Sequence, residues 1–252
     1  MSNPLNAESG IKAVFFDFMG TCLDWHTSIV NAFPAALSEK EKSDLALEWR
    51  QAFFDAIRSR PPGETPEDID ITHTRLLKEV LARLANAAIS QRFHQAEDGD
   101  QTKSSEAGCA SLAPDGFVAR RPSRVEAHPG ECGCELFVLA NGTTRLQLDL
   151  VRSSRLNFDM LFSSQLLGAS KPTLAVYRKA MTLVGIQDSG QAVMVAAHAY
   201  DLRAAKQAGL KTVYIQRWTD DLDETDRQRL HRENNGNVLD DFDGLSETIK
   251  RL

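Results

Sequence analysis

The chain has 252 residues, 42% of them apolar and 25% charged, with 29 Lys+Arg against 35 Asp+Glu and a net charge of -6. That is enough for one globular domain, or one domain with a smaller insert, and enough to bury a sizeable core without staples. The acidic balance argues against nucleic-acid binding by bulk charge. Cys22, Cys109, Cys132 and Cys134 are too few and too unevenly spaced for a disulfide scaffold.

In chain order, Met1 to Gly10 lacks the basic segment and apolar run of a secretory signal. No apolar run approaches the ~20 residues that span a bilayer. The expectation is therefore a soluble, cytoplasmic protein with a small-molecule substrate and neither a nucleic-acid nor a membrane partner. Ile11 to Phe16 is a short apolar run ending in Asp17 and then Gly20-Thr21, which predicts a buried strand running into a tight turn. A helical region follows. Ser43 to Arg60 carries Leu45, Trp49, Ala52, Phe53, Ala56 and Ile57 on one helix face. Thr65-Pro66-Glu67-Asp68 resembles a capping box with Pro at its first position. It opens a second helix through Leu76, Leu77, Val80, Leu81 and Leu84. Gln91 to Cys134 is polar in its first part, contains prolines, and has no apolar period, so an irregular segment is predicted.

The remainder alternates. Glu135 to Ala140 reads as a strand and Thr143 to Ser153 as a helix; Met160 to Phe162 is a short strand. Pro172 to Leu183 reads as a helix with Pro in its first turn. Val193 to Ala196 is a strand, Leu202 to Ala208 a helix stopped by Gly209, and Lys211 to Ile215 another strand. Alternation of this kind predicts an α/β fold, a doubly wound, Rossmann-like parallel sheet with helices on both faces. The helical segment after the first strand is rooted at the carboxyl end of the sheet, where such folds bind ligands, and is predicted to be an inserted cap. The expected division is 1–24 with 135–252 for the core and 25–134 for the cap, irregular at about 91–134.

Three features are set aside on chemical grounds. His128, Cys132 and Cys134 lack the paired spacing and the fourth ligand of a zinc site. Arg120, Arg121 and Arg124 have no interleaved aromatics for nucleic acid. Thr219 to Asn235 mixes both signs of charge and reads as a solvated loop and helix face.

Asp17, Asn141 and Asp201 fall at strand ends, with Lys171 at a loop–helix junction. An Asp at a strand end beside a Gly turn suits a nucleophile, although Asp and Gly are also common in plain turns. The set is more specific. Asp17-Phe-Met-Gly-Thr21, Ala140-Asn-Gly142, Lys171-Pro172 and Ala196-Ala-His-Ala-Tyr-Asp201 come in the order and spacing of the haloacid dehalogenase superfamily. The chain resembles that family over Ile11 to Arg60 and Glu135 to Trp218.

Within the superfamily, phosphatases carry a second Asp two residues after the nucleophile, and a magnesium-binding carboxylate four residues before the last Asp. Here those places hold Met19 and Ala197. A thioether cannot protonate a leaving group and a methyl cannot bind magnesium. The L-2-haloacid dehalogenase branch is more similar, and that resemblance implies a hydrolase with no metal and no cofactor. Trp49-Arg50-Gln51 resembles its halide-binding cap segment, and Lys171 and Tyr177 have its spacing of six.

The resemblance implies that Asp17 attacks the carbon bearing the halogen and forms an ester. It implies that Arg50 and Asn141 stabilise the departing halide, Lys171 keeps Asp17 ionised, and Asp201 orients Lys171 and the hydrolytic water. Thr21 is expected to hydrogen-bond Asp17, and Tyr177 to support the site from above. Three positions depart from the branch. Ala140 and Ala196 stand where it has serines, and His198 stands where it has asparagine. His198 is open to two readings, a water-activating base or a neutral hydrogen-bonded ring. Pairing of two copies as a homodimer is implied by resemblance alone. Two other functions stay open at this point: magnesium-dependent phosphoryl transfer on the same scaffold, and a degenerate, non-catalytic accessory member.

Overall fold

β1 (Ala13–Phe16) is buried at all of its positions, as a strand covered on both faces must be. The computed structural model describes residues 10–59, 61, 67, 69–83, 118–119 and 133–252. Two short strands, β2 (Leu23–Asp24) and β3 (Val118–Ala119), pair with each other. The main sheet contains β1, β4 (Glu135–Ala140), β5 (Met160–Ser163), β6 (Ala192–Ala196), β7 (Lys211–Ile215) and β8 (Val238–Leu239), in the order β5-β4-β1-β6-β7-β8. All neighbours in it are parallel. Phe16 pairs with Val138 on one side and Val195 on the other, so β4, which ends at Ala140, and β6, which ends at Ala196, both run past the end of β1. The chain places β4 and β5 to one side of β1 and β6 to β8 to the other. That reversal opens a crevice at the carboxyl ends of β1 and its neighbours.

The helices are α1 (Trp25–Ala32), α2 (Glu39–Ser59), α3 (Ile69–Arg83), α4 (Thr144–Ser154), α5 (Ser164–Leu167), α6 (Leu174–Leu183), α7 (Ala199–Gln207), α8 (Arg227–Glu233) and α9 (Leu245–Lys250). The described residues form two compact units, one holding the six-stranded sheet with α5 to α9 and the other holding α1 to α4. In the sheet unit, Phe15, Phe137, Leu139 and Met194 from the strands pack with Val176, Tyr177 and Ala180 of α6 and with Leu202 and Ala205 of α7. In the helical unit, Leu45, Trp49 and Phe53 of α2 and Leu76, Leu77, Val80 and Leu81 of α3 are buried. Trp49 Nε1 donates to the His73 carbonyl at 2.9 Å, and the His73 ring stacks on Phe53 with centroids 4.3 Å apart. Burial, helped by the charge of Arg50, lowers the His73 pKa to about 3, so this ring is neutral near pH 7.

Several boundaries differ from the sequence expectation, each for a local reason. α2 begins at Glu39 because Ser38 and Glu41 cap it reciprocally: Ser38 N–H donates to Glu41 Oε2 at 2.8 Å and Glu41 N–H to Ser38 Oγ at 3.3 Å. α7 begins at Ala199, three residues before the apolar signal, because the Asp221 carboxylate accepts from Ala199 N–H. α6 begins at Leu174, so Pro172 precedes it. α1, β8 and α9 were not expected, and α8 is the helix of the charged run from Thr219 to Asn235. Thr65, Pro66, Asp68 and Leu84, and 91–134 apart from 118–119 and 133–134, lie outside the described residues. Among the described residues no helix is long and apolar enough to cross a membrane.

Candidate active site

The turn after β1 sets Asp17 at the crevice. Asp17 N–H donates to the Val195 carbonyl at 3.0 Å, and the Cys22 thiol donates to the Asp17 carbonyl at 3.3 Å. Burial and the nearby Asp17 charge push that thiol up, so it stays protonated and serves as a structural donor. The Asp17 carboxylate receives three side-chain donors. Lys171 Nζ reaches Oδ1 at 2.8 Å; Thr21 Oγ1 and His198 Nδ1 reach Oδ2 at 2.8 and 2.9 Å.

Lys171 is held at both ends. Its backbone N–H donates to Asn141 Oδ1 at 2.8 Å and its carbonyl accepts from Asn141 Nδ2 at 3.1 Å. Its ammonium also donates to Asp201 Oδ2 at 2.5 Å, while Tyr177 OH donates to Asp201 Oδ1 at 2.5 Å. Asn141 is thus turned to the Lys171 backbone, and its side chain positions the lysine. Tyr177, expected above the site, is fully buried behind Asp201 in the core. Its hydroxyl fixes that carboxylate.

His198 caps α7 and lies between two carboxylates. Its Nδ1 faces Asp17 and its Nε2 faces Asp220 Oδ1 at 3.1 Å. A neutral imidazole has one N–H and would leave a lone pair against an anion. Two facing carboxylates favour the doubly protonated ring, which donates to both. Burial disfavours that charge, but the hydrogen bonds and charges of Asp17 and Asp220 outweigh it and raise the pKa to about 10. A pKa raised in this way favours the imidazolium near pH 7.

Burial alone would also raise the Asp17 pKa. The Lys171 charge, with the hydrogen bond and charge of His198, instead holds it far below the usual carboxylate range. Lys171 responds in the opposite sense. Burial lowers its pKa, and the charges of Asp17 and Asp201 raise it further than burial depresses it. Burial, with the Asp17 charge beside it, pushes Asp201 upward against the pull of Lys171.

Asp220 is the residue that sequence reasoning missed. It belongs to the run from Thr219 to Asn235, read as solvated, yet Thr219, Asp220, Leu230 and Asn234 are buried. Thr219 Oγ1 donates to Asp220 Oδ2 at 2.8 Å. Arg217 ties the same loop to the nucleophile turn by donating to the Thr21 carbonyl at 3.2 Å. The available signal was position: Asp220 follows β7, which pairs with β6, at the same end of the sheet as Asp17.

Gly20 is required by this arrangement. Its φ is +86°, and a Cβ there would lie 2.6 Å from Asp220 Oδ1. Because Asp220 is buried and bound at both oxygens, it cannot swing aside. Gly20→Ala is expected to displace Asp220 and with it His198, lowering kcat/KM by about tenfold or more and stability by about 1–3 kcal/mol. Steady-state kinetics and a thermal melt check this; wild-type values in both would contradict it.

Of the eight residues expected at the site, Asp17, Thr21, Asn141, Lys171, Tyr177, His198 and Asp201 form one hydrogen-bonded network in the sheet unit. Arg50 belongs to the helical unit, where its guanidinium lies 5.0 Å from the Trp25 ring centroid and 4.7 Å from that of Phe54. Ala196 is a core residue with no exposure. Strand alternation places Ala140 on the opposite face from Leu139, outside that core cluster.

A parallel sheet whose strand ends gather an ionised Asp, a lysine and a second Asp is the architecture of a haloacid dehalogenase-type hydrolase. The chain belongs to the haloacid dehalogenase-like hydrolase family, whose model matches residues 11–209. Among solved structures, the L-2-haloacid dehalogenase PA0810 is 27% identical, with 96% of this chain and 100% of that one covered and a TM-score of 0.69. The defluorinating L-2-haloacid dehalogenase Rha0230 is 21% identical, with coverage of 99% and 100% and a TM-score of 0.71. The L-2-haloacid dehalogenase from Xanthobacter autotrophicus, solved with chloropropionic acid covalently bound, is 17% identical, with coverage of 95% and 98% and a TM-score of 0.68. No curated protein sequence matches the chain.

Proposed function

We propose that the protein hydrolyses the carbon–halogen bond of a 2-haloacid or a related anion through an ester on Asp17, without a metal ion. The observation that carries this reading is the buried Asp17 carboxylate, with Lys171 Nζ 2.8 Å from one oxygen and His198 Nδ1 2.9 Å from the other. In the first step a carboxylate oxygen attacks the carbon bearing the halogen. The new C–O bond forms as the C–X bond breaks, and halide departs with the bonding pair. The family resemblance gives Arg50 to the halide, with the helical segment as cap; the second amide hydrogen of Asn141 is available for the same purpose. In the second step water adds to Cγ and passes a proton to Asp201. Lys171 protonates the departing alkoxide and is reprotonated by Asp201. The remaining water proton leaves as Asp17 returns to its carboxylate.

The residues do not fit a divalent cation at Asp17. Its oxygens already bind an ammonium and an imidazolium, which would repel a metal ion. Met19 and Ala197 supply no carboxylate, and Ala197 N–H is spent on Thr21 Oγ1 at 2.8 Å.

The test is halide release from a panel of 2-haloacids, including L-2-chloropropionate, with and without EDTA. Release that survives chelation is expected. Activity that is lost in EDTA and restored by Mg²⁺, or phosphatase activity without halide release, would overturn the reading.

A further inference from the structure

The two oxygens of Asp17 differ. Oδ2 accepts from Thr21 Oγ1 at 2.8 Å and His198 Nδ1 at 2.9 Å, whereas Oδ1 accepts from Lys171 Nζ at 2.8 Å. A carboxylate oxygen offers two lone-pair directions. Among the described residues, Oδ2 is therefore filled and Oδ1 keeps one direction open for attack.

Both donors to Oδ2 are aimed from behind. Ala197 N–H donates to Thr21 Oγ1 at 2.8 Å, which turns the Thr21 hydrogen toward Asp17. His198 Nε2–H donates to Asp220 Oδ1 at 3.1 Å, and Asp220 Oδ2 accepts from Thr219 Oγ1 at 2.8 Å. Each ring nitrogen is engaged by a carboxylate, so neither is placed to accept a proton.

Resting on the aspartyl-ester reading above, we propose that Oδ1 is the attacking oxygen and that the His198 imidazolium and Thr21 form an oxyanion hole around Oδ2 for hydrolysis of the ester. Asp220 is the positioning residue of that hole. Once Oδ1 carries the substrate carbon, Oδ2 is the ester carbonyl oxygen. Water adds to Cγ and gives its proton to Asp201, and the Cγ–Oδ2 π pair moves onto Oδ2. Two donors, one of them charged, already point at that atom, so no reorganisation is needed as the charge develops. Collapse restores the Cγ–Oδ2 double bond and breaks Cγ–Oδ1. Oδ1 leaves in the product alcohol with a proton from Lys171, and the water oxygen takes its place. His198 neither gains nor loses a proton over the cycle.

This differs from base catalysis in the sign of its pH dependence. The groups facing His198 are Asp17 from the β1 turn, Asp220 and Asp221 from the loop after β7, Tyr200 from its own helix, and Lys171 beyond Asp17. Ester formation removes the Asp17 charge. The His198 pKa then falls from about 10 toward its ordinary 6.5, with Asp220 still holding it up. An oxyanion donor works in the protonated form, so ester hydrolysis slows as pH rises through that interval. A base works in the deprotonated form, so hydrolysis would accelerate.

The experiment uses the full chain and L-2-chloropropionate, following halide release in the first turnover and the Asp17 adduct by mass spectrometry. In His198→Ala, ester formation is expected to stay within about tenfold of wild type while ester hydrolysis falls about 10²–10³-fold. The adduct then accumulates behind a one-equivalent halide burst. In Asp220→Asn, the break in hydrolysis rate is expected at lower pH than in wild type, a shift that a merely structural role would not produce. Equal hydrolysis rates in His198→Ala and wild type overturn the oxyanion hole while leaving the ester reading intact. If His198→Ala fails to fold, the wild-type pH profile decides: hydrolysis that rises with pH overturns the proposal. Absence of both halide and adduct in wild type overturns the ester reading and this proposal with it.

Discussion

Asp17→Asn is expected to lower turnover by on the order of 10⁴–10⁶-fold, because an amide oxygen is a poor nucleophile toward carbon and no other group takes its place. The network around it adds a second consequence. Asn keeps an acceptor for Lys171 but removes the charge that, with Asp220, holds His198 protonated. The variant is therefore expected to lose about 1–3 kcal/mol of stability, as befits a buried charge-assisted network with one member neutralised. In wild type, a single turnover in ¹⁸O-labelled water should place label in Asp17 and unlabelled oxygen in the first-turnover product. Label found only in the product would exclude the covalent route, since water would then have attacked the substrate directly.

The parts of this molecule legible in its sequence are those whose burial is total. β1, β4, β6 and β7 are covered on both faces, so they read as continuous apolar runs with no competing period. β8 has two residues, too few to show a pattern, and owes its strand geometry to its pairing with β7. Asp17, Lys171 and Asp201 could be found because each stands at a fixed offset from a strand or turn. Asp220 could not, because its surroundings are charged and charge reads as solvation. It is buried by partners remote in sequence: His198, 22 positions away, and Gly20, in the turn after β1, which β6 separates from β7 in the sheet. Tyr177 shows a related limit. Its spacing from Lys171 was visible, but the direction of its hydroxyl, toward Asp201 and away from solvent, depends on how α6 packs on the sheet.

Lys171→Met is expected to cause the largest loss of stability of any substitution at the site, and one that grows with pH. Lys171 is buried with its ammonium between Asp17 and Asp201. Removing it leaves two buried carboxylates without their shared cation, a change that costs about 3–5 kcal/mol when both are ionised. For a 252-residue chain this corresponds to roughly 6–20 °C in Tm. The sign of the pH dependence follows from the carboxylates. In wild type the Asp17 pKa lies below its unfolded value of 3.8, so its contribution is present above that value and is lost as pH falls through the folded pKa. Without Lys171, burial raises the carboxylates above 3.8, and stability is instead lost as pH rises through their new folded pKa. The Tm difference between the proteins should therefore be small near pH 4–5 and widen toward pH 8. Turnover should fall with the same change, by about 10³-fold or more, since the variant lacks both the charge that keeps Asp17 ionised and the acid that protonates the departing alkoxide. A Tm deficit independent of pH would mean that Lys171 acts mainly by packing, and the electrostatic account of Asp17 would then have to be abandoned.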